Sequence, residues 1–153
     1  MNDRQSGGTD FLGRVIWQIW KDGQMYVTEA LRKFGIGSGQ HPLLMMLFNL
    51  GNLSQEEISR RLRIDKAATT KAVAKLLKEG YIERKPDSHD KRMYRVSPSQ
   101  KAQRIREELY RINEEWERIL LHGFGATERK VVREVLLRIR ENAGSRAKAR
   151  AAH

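Results

Sequence analysis

The sequence contains no cysteine in its 153 residues. That absence excludes disulfides, thiolate nucleophiles, cysteine-ligated zinc and redox sensing through a thiol. It fits a cytoplasmic protein in a reducing compartment. Long hydrophobic runs are also missing. The longest, Leu43 to Phe48, falls far short of the roughly 20 residues a membrane-spanning helix needs, so no membrane partner is expected. The opening residues, MNDRQSGGTD, hold no apolar stretch, and no secretion signal is expected. The histidines at 41, 89, 122 and 153 show no metal-ligand spacing. The acidic pairs Glu107/Glu108 and Glu114/Glu115 lie on a solvated helix face, away from any histidine. No catalytic constellation is present. An enzyme is not expected, and neither a metal nor a cofactor is called for. There is no internal repeat.

What the chain has is positive charge, +11 from 30 Lys+Arg and 19 Asp+Glu. The excess is not spread evenly. From Met1 to Ser59 the net charge is −1, and from Glu107 to Asn142 it is again −1. Between Arg60 and Arg106 there are 15 basic and 5 acidic residues. Such a block points to an anionic partner, with nucleic acid the first choice. An evenly solubilising surface would distribute the charge.

The apolar pattern divides the chain further. Residues 1–10 are expected to be a disordered arm, with Thr9 or Asp10 able to cap a helix. Phe11, Leu12, Val15, Ile16, Ile19, Trp20, Val27, Ala30, Leu31 and Phe34 recur at steps of three and four, predicting an amphipathic helix of about seven turns. After Gly35, Gly37 and Gly39, Pro42 suits a first helical turn, and Leu43 to Phe48 suits a short buried helix. Ser54 with Glu57 forms a capping box for a helix over 55–61. Asp65 can cap a second helix over 66–79, ended by Gly80. Two alternating runs, 81–84 and 93–96, flank the polar turn 85–92 and predict a hairpin. Ser97-Pro98-Ser99-Gln100 reads as another capping box. Ala102, Ile105, Leu109, Ile112, Trp116 and Ile119 then follow at near-heptad spacing. Thr127 is expected to cap a last helix with Val131, Val132, Val135, Leu136 and Ile139 inward. The stretch 143–153 reads as a fraying basic tail.

Helix, short turn, helix and basic hairpin together make a helix-turn-helix with a β-wing. An α-helix fits the DNA major groove, and its first turns reach the base edges. Here those turns carry Lys66, Thr69, Thr70, Lys71 and Lys75. Arg60, Arg61 and Arg63 precede them where a DNA backbone would pass. Arg84, Lys85, Lys91, Arg92 and Arg95 arm the hairpin, and an arginine at its tip can enter a narrow minor groove.

The stretch SQEEISRRLRIDKAATTKAVAKLLKEGYIERKPDSHDKRMYRVSPSQKA, from Ser54 to Ala102, resembles the winged helix-turn-helix of MarR-type transcriptional regulators. The wing segment Asp87-x-x-Asp90-x-Arg92 carries the most specific part of the likeness. Leu76 to Arg84 matches the exit from that family's recognition helix, and the likeness extends over about 11–142. It implies a minor-groove role for Arg92, with Asp90 orienting it and Asp87 supporting the wing, and a major-groove role for Thr70 and Lys71. Ala67 and Ala68 depart from the family's frequent hydroxyl residues. Arg63 stands where glycine is common in the turn.

The fold class expected is therefore mainly α with a small β-wing. It is a single domain over 11–142, with a winged helix-turn-helix at about 40–97 and dimerisation helices at 11–35 and 98–142. The apolar stripes outside the reading unit, and the resemblance, imply a homodimer that reads palindromic double-stranded DNA at half-sites about 34–36 Å apart. The family likeness further implies a repressor released by a small aromatic or anionic effector. Trp17, Trp20, His41, Met45 and Met46 lie on segments able to line its pocket, although tryptophan and methionine at helical spacing also serve as core. The other reading is a non-specific architectural DNA-binding protein, which Ala67 and Ala68 favour.

Overall fold

The computed structural model describes residues 11–151, with side chains through residue 145. It is mainly helical with one small antiparallel sheet. The elements run α1 (Leu12–Leu31), a 3-10 turn (Arg32–Phe34), α2 (His41–Leu50), β1 (Leu53–Ser54), α3 (Gln55–Leu62) and α4 (Lys66–Lys78). They continue with β2 (Ile82–Pro86), β3 (Tyr94–Pro98), α5 (Gln100–Leu120) and α6 (Ala126–Ala151). The chain divides into two compact units, one closing at Glu114 and one opening at Glu115, where a single domain was expected over 11–142. The expected arm at 1–10, including Thr9 and Asp10, lies outside the described residues.

The first unit is organised around α2. Its sequence is apolar on every side, and Leu43, Leu44 and Leu47 are fully enclosed. Each such leucine contributes roughly 1.5–3 kcal/mol through removal from water. Around it gather Leu31 and Ile36 from the first segment, Ile58 of α3, and Val73 and Leu76 of α4. Val96 of β3 and Leu109 of α5 complete the enclosure. The reading helices and the sheet thus share one core.

The expected hairpin is present and gains a third strand. β1 pairs with β3 through Leu53 opposite Val96 and Ser54 opposite Arg95, giving the order β1-β3-β2. β2 pairs with β3 from Ile82 opposite Pro98 to Pro86 opposite Tyr94. That pairing keeps Ser97 and Pro98 extended, so α5 cannot start there. Ser99 takes over as its cap, its Oγ accepting from the Ala102 amide at 3.2 Å and donating to the Gly80 carbonyl at 2.7 Å.

Other helix boundaries also differ from the periodicity. α1 ends at Leu31, and Arg32–Phe34 tightens into a 3-10 turn closed by Gly35 at φ 67°. The first described cap of α1 is Phe11, and among the described residues no side chain serves it. α6 opens after Gly125 rather than at a Thr127 cap, because the Glu128 carboxylate accepts from the Gly125 amide at 2.6 Å. It also continues to Ala151, so the basic stretch expected as a tail after 142 belongs to the helix.

In the second unit Arg133 pairs with Glu117. Arg129 closes the preceding turn, its Nε donating to the Phe124 carbonyl at 2.9 Å and its Nη2 to that of Leu121 at 3.2 Å. The apolar residues expected inward are largely outward. Val131, Val135, Leu136 and Leu137 on α6 are exposed, as are Ile119 and Leu120 at the end of α5. In the first unit, Leu12, Ile16, Trp17, Ile19 and Trp20 on α1 are exposed too. Among the described residues no helix is long and apolar enough to cross a membrane.

The turn between α3 and α4 holds the one non-glycine residue with positive φ among those described, Arg63 at φ 54°. A Cβ in that region is strained by roughly 1 kcal/mol, partly offset on glycine substitution by unfolded-state entropy. Arg63→Gly is therefore expected to raise stability by about 0.5 kcal/mol, read as a higher urea midpoint. A lower midpoint would show that the turn is not strained.

Candidate nucleic-acid interface

α3 and α4 are capped independently, which places the turn between them. The Ser54 hydroxyl accepts from the Glu57 amide at 3.2 Å, and the Glu57 carboxylate accepts from the Ser54 amide at 2.8 Å. Asp65 caps α4 by accepting from the Ala68 amide at 2.7 Å. The Ser59 hydroxyl closes the turn by donating to the Ile64 carbonyl at 2.7 Å. Ala72, Val73 and Leu76 sink one face of α4 into the core. The opposite face presents Lys66, Ala67, Ala68, Thr70, Lys71 and Lys75 to solvent. Arg60, Arg61 and Arg63 are exposed beside the turn.

Thr69 does not belong to that exposed row. It retains only 1% of its surface, and its hydroxyl donates to the Asp65 carbonyl at 3.0 Å. Its position, three and four residues before Ala72 and Val73, puts it on the inward stripe, so it supports the helix and does not reach a groove. Thr70 is exposed, but its hydroxyl already donates to the Lys66 carbonyl at 2.8 Å and lies 3.5 Å from Gln55 Oε1. Gln55, which the sequence did not single out, lines a cleft of about 410 Å³ with Glu56, Ser59, Arg60, Lys66 and Thr69. Its only signal in the sequence is its place at the first position of a capped helix.

The wing is ordered by carboxylates. Asp87 Oδ1 accepts from the amides of His89 at 2.8 Å and Asp90 at 3.2 Å. Asp90 Oδ1 accepts from the Arg92 amide at 3.0 Å and from its Nε at 3.3 Å. Arg92 and Lys91 remain exposed at the tip. The other wing cations are engaged. Arg84 stacks 4.0 Å from the Tyr94 ring centre, and Lys85 pairs with Glu83 at 3.3 Å. Arg95 does not arm the outer surface: its guanidinium turns to Glu57 and Asp87.

Two of these carboxylates are held below their ordinary range. The Ser54 amide is the main cause for Glu57, and the His89 and Asp90 amides for Asp87, with Arg95 adding to both. A depressed carboxylate contributes stability that is complete above its ordinary value and lost as pH falls through the folded one. The ordinary values are 4.5 for Glu57 and 3.8 for Asp87. The exchange protection factors of the Ser54, His89 and Asp90 amides are therefore expected to hold at neutral pH and to fall below about pH 4. Protection unchanged down to pH 2 would refute the carboxylates' role.

The residues expected at an effector pocket lie in different settings. Trp17 and Trp20 are 57% and 56% exposed on α1. Met45 is half-buried against the core. His41 retains 8% of its surface, its Nε2 has no hydrogen-bond partner among the described residues, and burial lowers its pKa.

A capped helix pair on a shared core, with an exposed cationic second helix and a three-stranded wing, defines a winged helix-turn-helix DNA-binding protein. The comparisons agree. Residues 36–94 match the model of the MarR family. A MarR transcriptional regulator from Methanosarcina mazei Go1 superposes with a TM-score of 0.85 at 35% identity, over 89% of this chain and 98% of that one. The transcriptional regulator AdcR of Streptococcus pneumoniae is 33% identical over 98 residues, 64% of this chain and 66% of its own. An HTH-type transcriptional regulator of Bacillus subtilis, YybA, is 26% identical over 104 residues, 68% of this chain and 69% of its own. The chain belongs to the MarR family, whose members are DNA-binding transcriptional regulators and not enzymes.

Proposed function

We propose that the protein is a homodimeric, sequence-specific regulator acting in the cytoplasm, a repressor that a small aromatic or anionic molecule releases from palindromic DNA. The observation that carries this reading is the exposed cationic face of α4, backed by a fully packed core and followed by a wing whose tip leaves Lys91 and Arg92 free of the sheet. Lys66, Thr70, Lys71 and Lys75 read or flank the major groove, Arg60 meets the backbone, and Arg92, oriented by Asp90, enters the minor groove with Lys91 beside it. A mutant MarR of Escherichia coli, of similar fold at 22% identity and a TM-score of 0.75, has been seen complexed with operator DNA.

The exposed apolar faces of α1 and α6 support a second copy as their cover, since patches of this kind mark association surfaces. Trp17, Trp20, His41 and Met45 are the residues proposed to meet the effector, which would act by preferring a half-site spacing that DNA does not match. The test is selection of bound duplexes from a random pool, with and without a panel of aromatic acids. A palindrome preferred by about 10³ or more over random DNA supports the reading. Flat affinity across sequences would replace it with an architectural role, which Ala67 and Ala68 on the exposed face of α4 favour.

A further inference from the structure

Arg95 is the second residue of the central strand β3, opposite Ser54 of β1 and Lys85 of β2. Its guanidinium meets three segments at once. Nη2 donates to the Asn52 carbonyl at 2.9 Å and approaches Glu57 Oε2 at 3.1 Å, and Nη1 approaches Asp87 Oδ2 at 3.3 Å. The same Glu57 oxygen closes the cap of α3 by accepting from the Ser54 amide. Asp87 in turn holds the His89 and Asp90 amides, and Asp90 holds Arg92.

A continuous line of ion pairs and hydrogen bonds to carboxylates therefore runs from the first turn of α3 to the wing tip. The backbone ladder of β1 with β3 ties the base of the wing to α3, but it thins toward the tip. Sheet pairing ends at Pro86 opposite Tyr94, one further bond joins the Asp87 amide to the Met93 carbonyl, and Met93 bonds back to Asp90 within the loop. Arg95 itself is mostly covered, with 29% of its side chain exposed and both terminal nitrogens already engaged. It is poorly placed to be a DNA contact and well placed to aim one.

We propose that Arg95 is the positioning residue that holds the wing at a set angle to the reading helices, so that Arg92 meets the minor groove while α4 occupies the major groove. This rests on the reading of the wing as a DNA contact. Arginine suits the task because its planar fork serves acceptors in several directions, whereas a lysine offers one point charge.

The experiment uses the full chain and the best duplex that the wild type recovers from a random pool, with Arg95→Met, Arg95→Lys, Arg92→Ala and the double variant Arg92→Ala/Arg95→Met. In free protein, Arg95→Met is expected to speed amide exchange at His89 and Asp90 at least about tenfold. Partly exposed ion pairs add little to global stability, so the thermal midpoint should stay within about 3 °C. On the duplex, Arg95→Met is expected to lose about tenfold in affinity and to lose hydroxyl-radical protection at the minor-groove flanks, keeping it at the centre. Arg95→Lys should recover part of both. Arg92→Ala should lose the same flanks with unchanged exchange, and the double variant should be no weaker than Arg92→Ala alone, because one residue acts through the other.

Additive losses in the double variant would overturn the proposal. So would unchanged exchange in Arg95→Met, or a fallen midpoint with all protection lost together, which marks a general structural prop. If the wild type protects no minor-groove flank, the DNA reading of the wing fails, and the exchange measurement, made without DNA, still decides whether Arg95 holds the wing.

Discussion

Glutamate at both Val135 and Leu136 is expected to convert the protein to monomers and to weaken binding to a two-half-site duplex by about a hundredfold or more. The two side chains are 45% and 52% exposed in the single chain, so neither substitution opens a cavity or buries a charge within it. The helix should form as before, which circular dichroism would check. In a dimer the same positions would be covered, and two carboxylates on each copy would face an apolar partner without a counter-charge. The loss on DNA follows from arithmetic: a monomer gives up the gain from having its second reading head tethered to the first. Sedimentation velocity gives the oligomeric state and titration of the selected duplex gives the affinity. A variant that stays dimeric with wild-type affinity would show that α6 is not the association surface.

The second large effect is expected at Lys71. Lys71→Ala should lower affinity for the selected duplex by about 1–3 kcal/mol and relax base preference at one position of each half-site. The geometry singles it out. Thr69 is buried, Ala67 and Ala68 carry no polar group, and the Thr70 hydroxyl is held by the Lys66 carbonyl. Base discrimination on α4 thus falls largely to its lysines. Lys71 lies on the exposed face one turn before Lys75, within the part of the helix able to enter a groove. Repeating the selection with the variant separates two roles. Uniform weakening across sequences with a shallower salt dependence would make Lys71 a phosphate contact, against the base-reading role.

Much of the reading unit was legible because its signals are local. The Ser54–Glu57 box, the Asp65 cap and the positive φ of Gly80 each depend on residues within a few positions, and all three hold in the structure. The family likeness rested on the same contiguous stretch. What escaped depends on distant partners. β1 is two residues long and exists only because β3 lies beside it. Ser97 looked like the cap of α5, but pairing with β2 takes it into the sheet. Arg95 counted as one more wing cation because nothing near it in sequence announces Glu57, reached across β1. On α6, spacing found an apolar stripe but could not say that this chain alone leaves it open.

Ser99 has a bearing on which changes of length the chain can tolerate. Its amide donates to the Tyr81 carbonyl, and its hydroxyl joins the Gly80 carbonyl to the first turn of α5. Lys101 adds a contact with the Glu79 carbonyl. One added residue between Val96 and Gln100 would slip every one of these bonds and rotate the following helix by about 100°. An added residue between Ser88 and Lys91 would disturb the bonds of Asp87 and Asp90 at the wing tip but leave the helices in place. Insertions should therefore spare the fold at the wing tip and disrupt it at the joint directly after the sheet. Among related chains, the joint should keep its length.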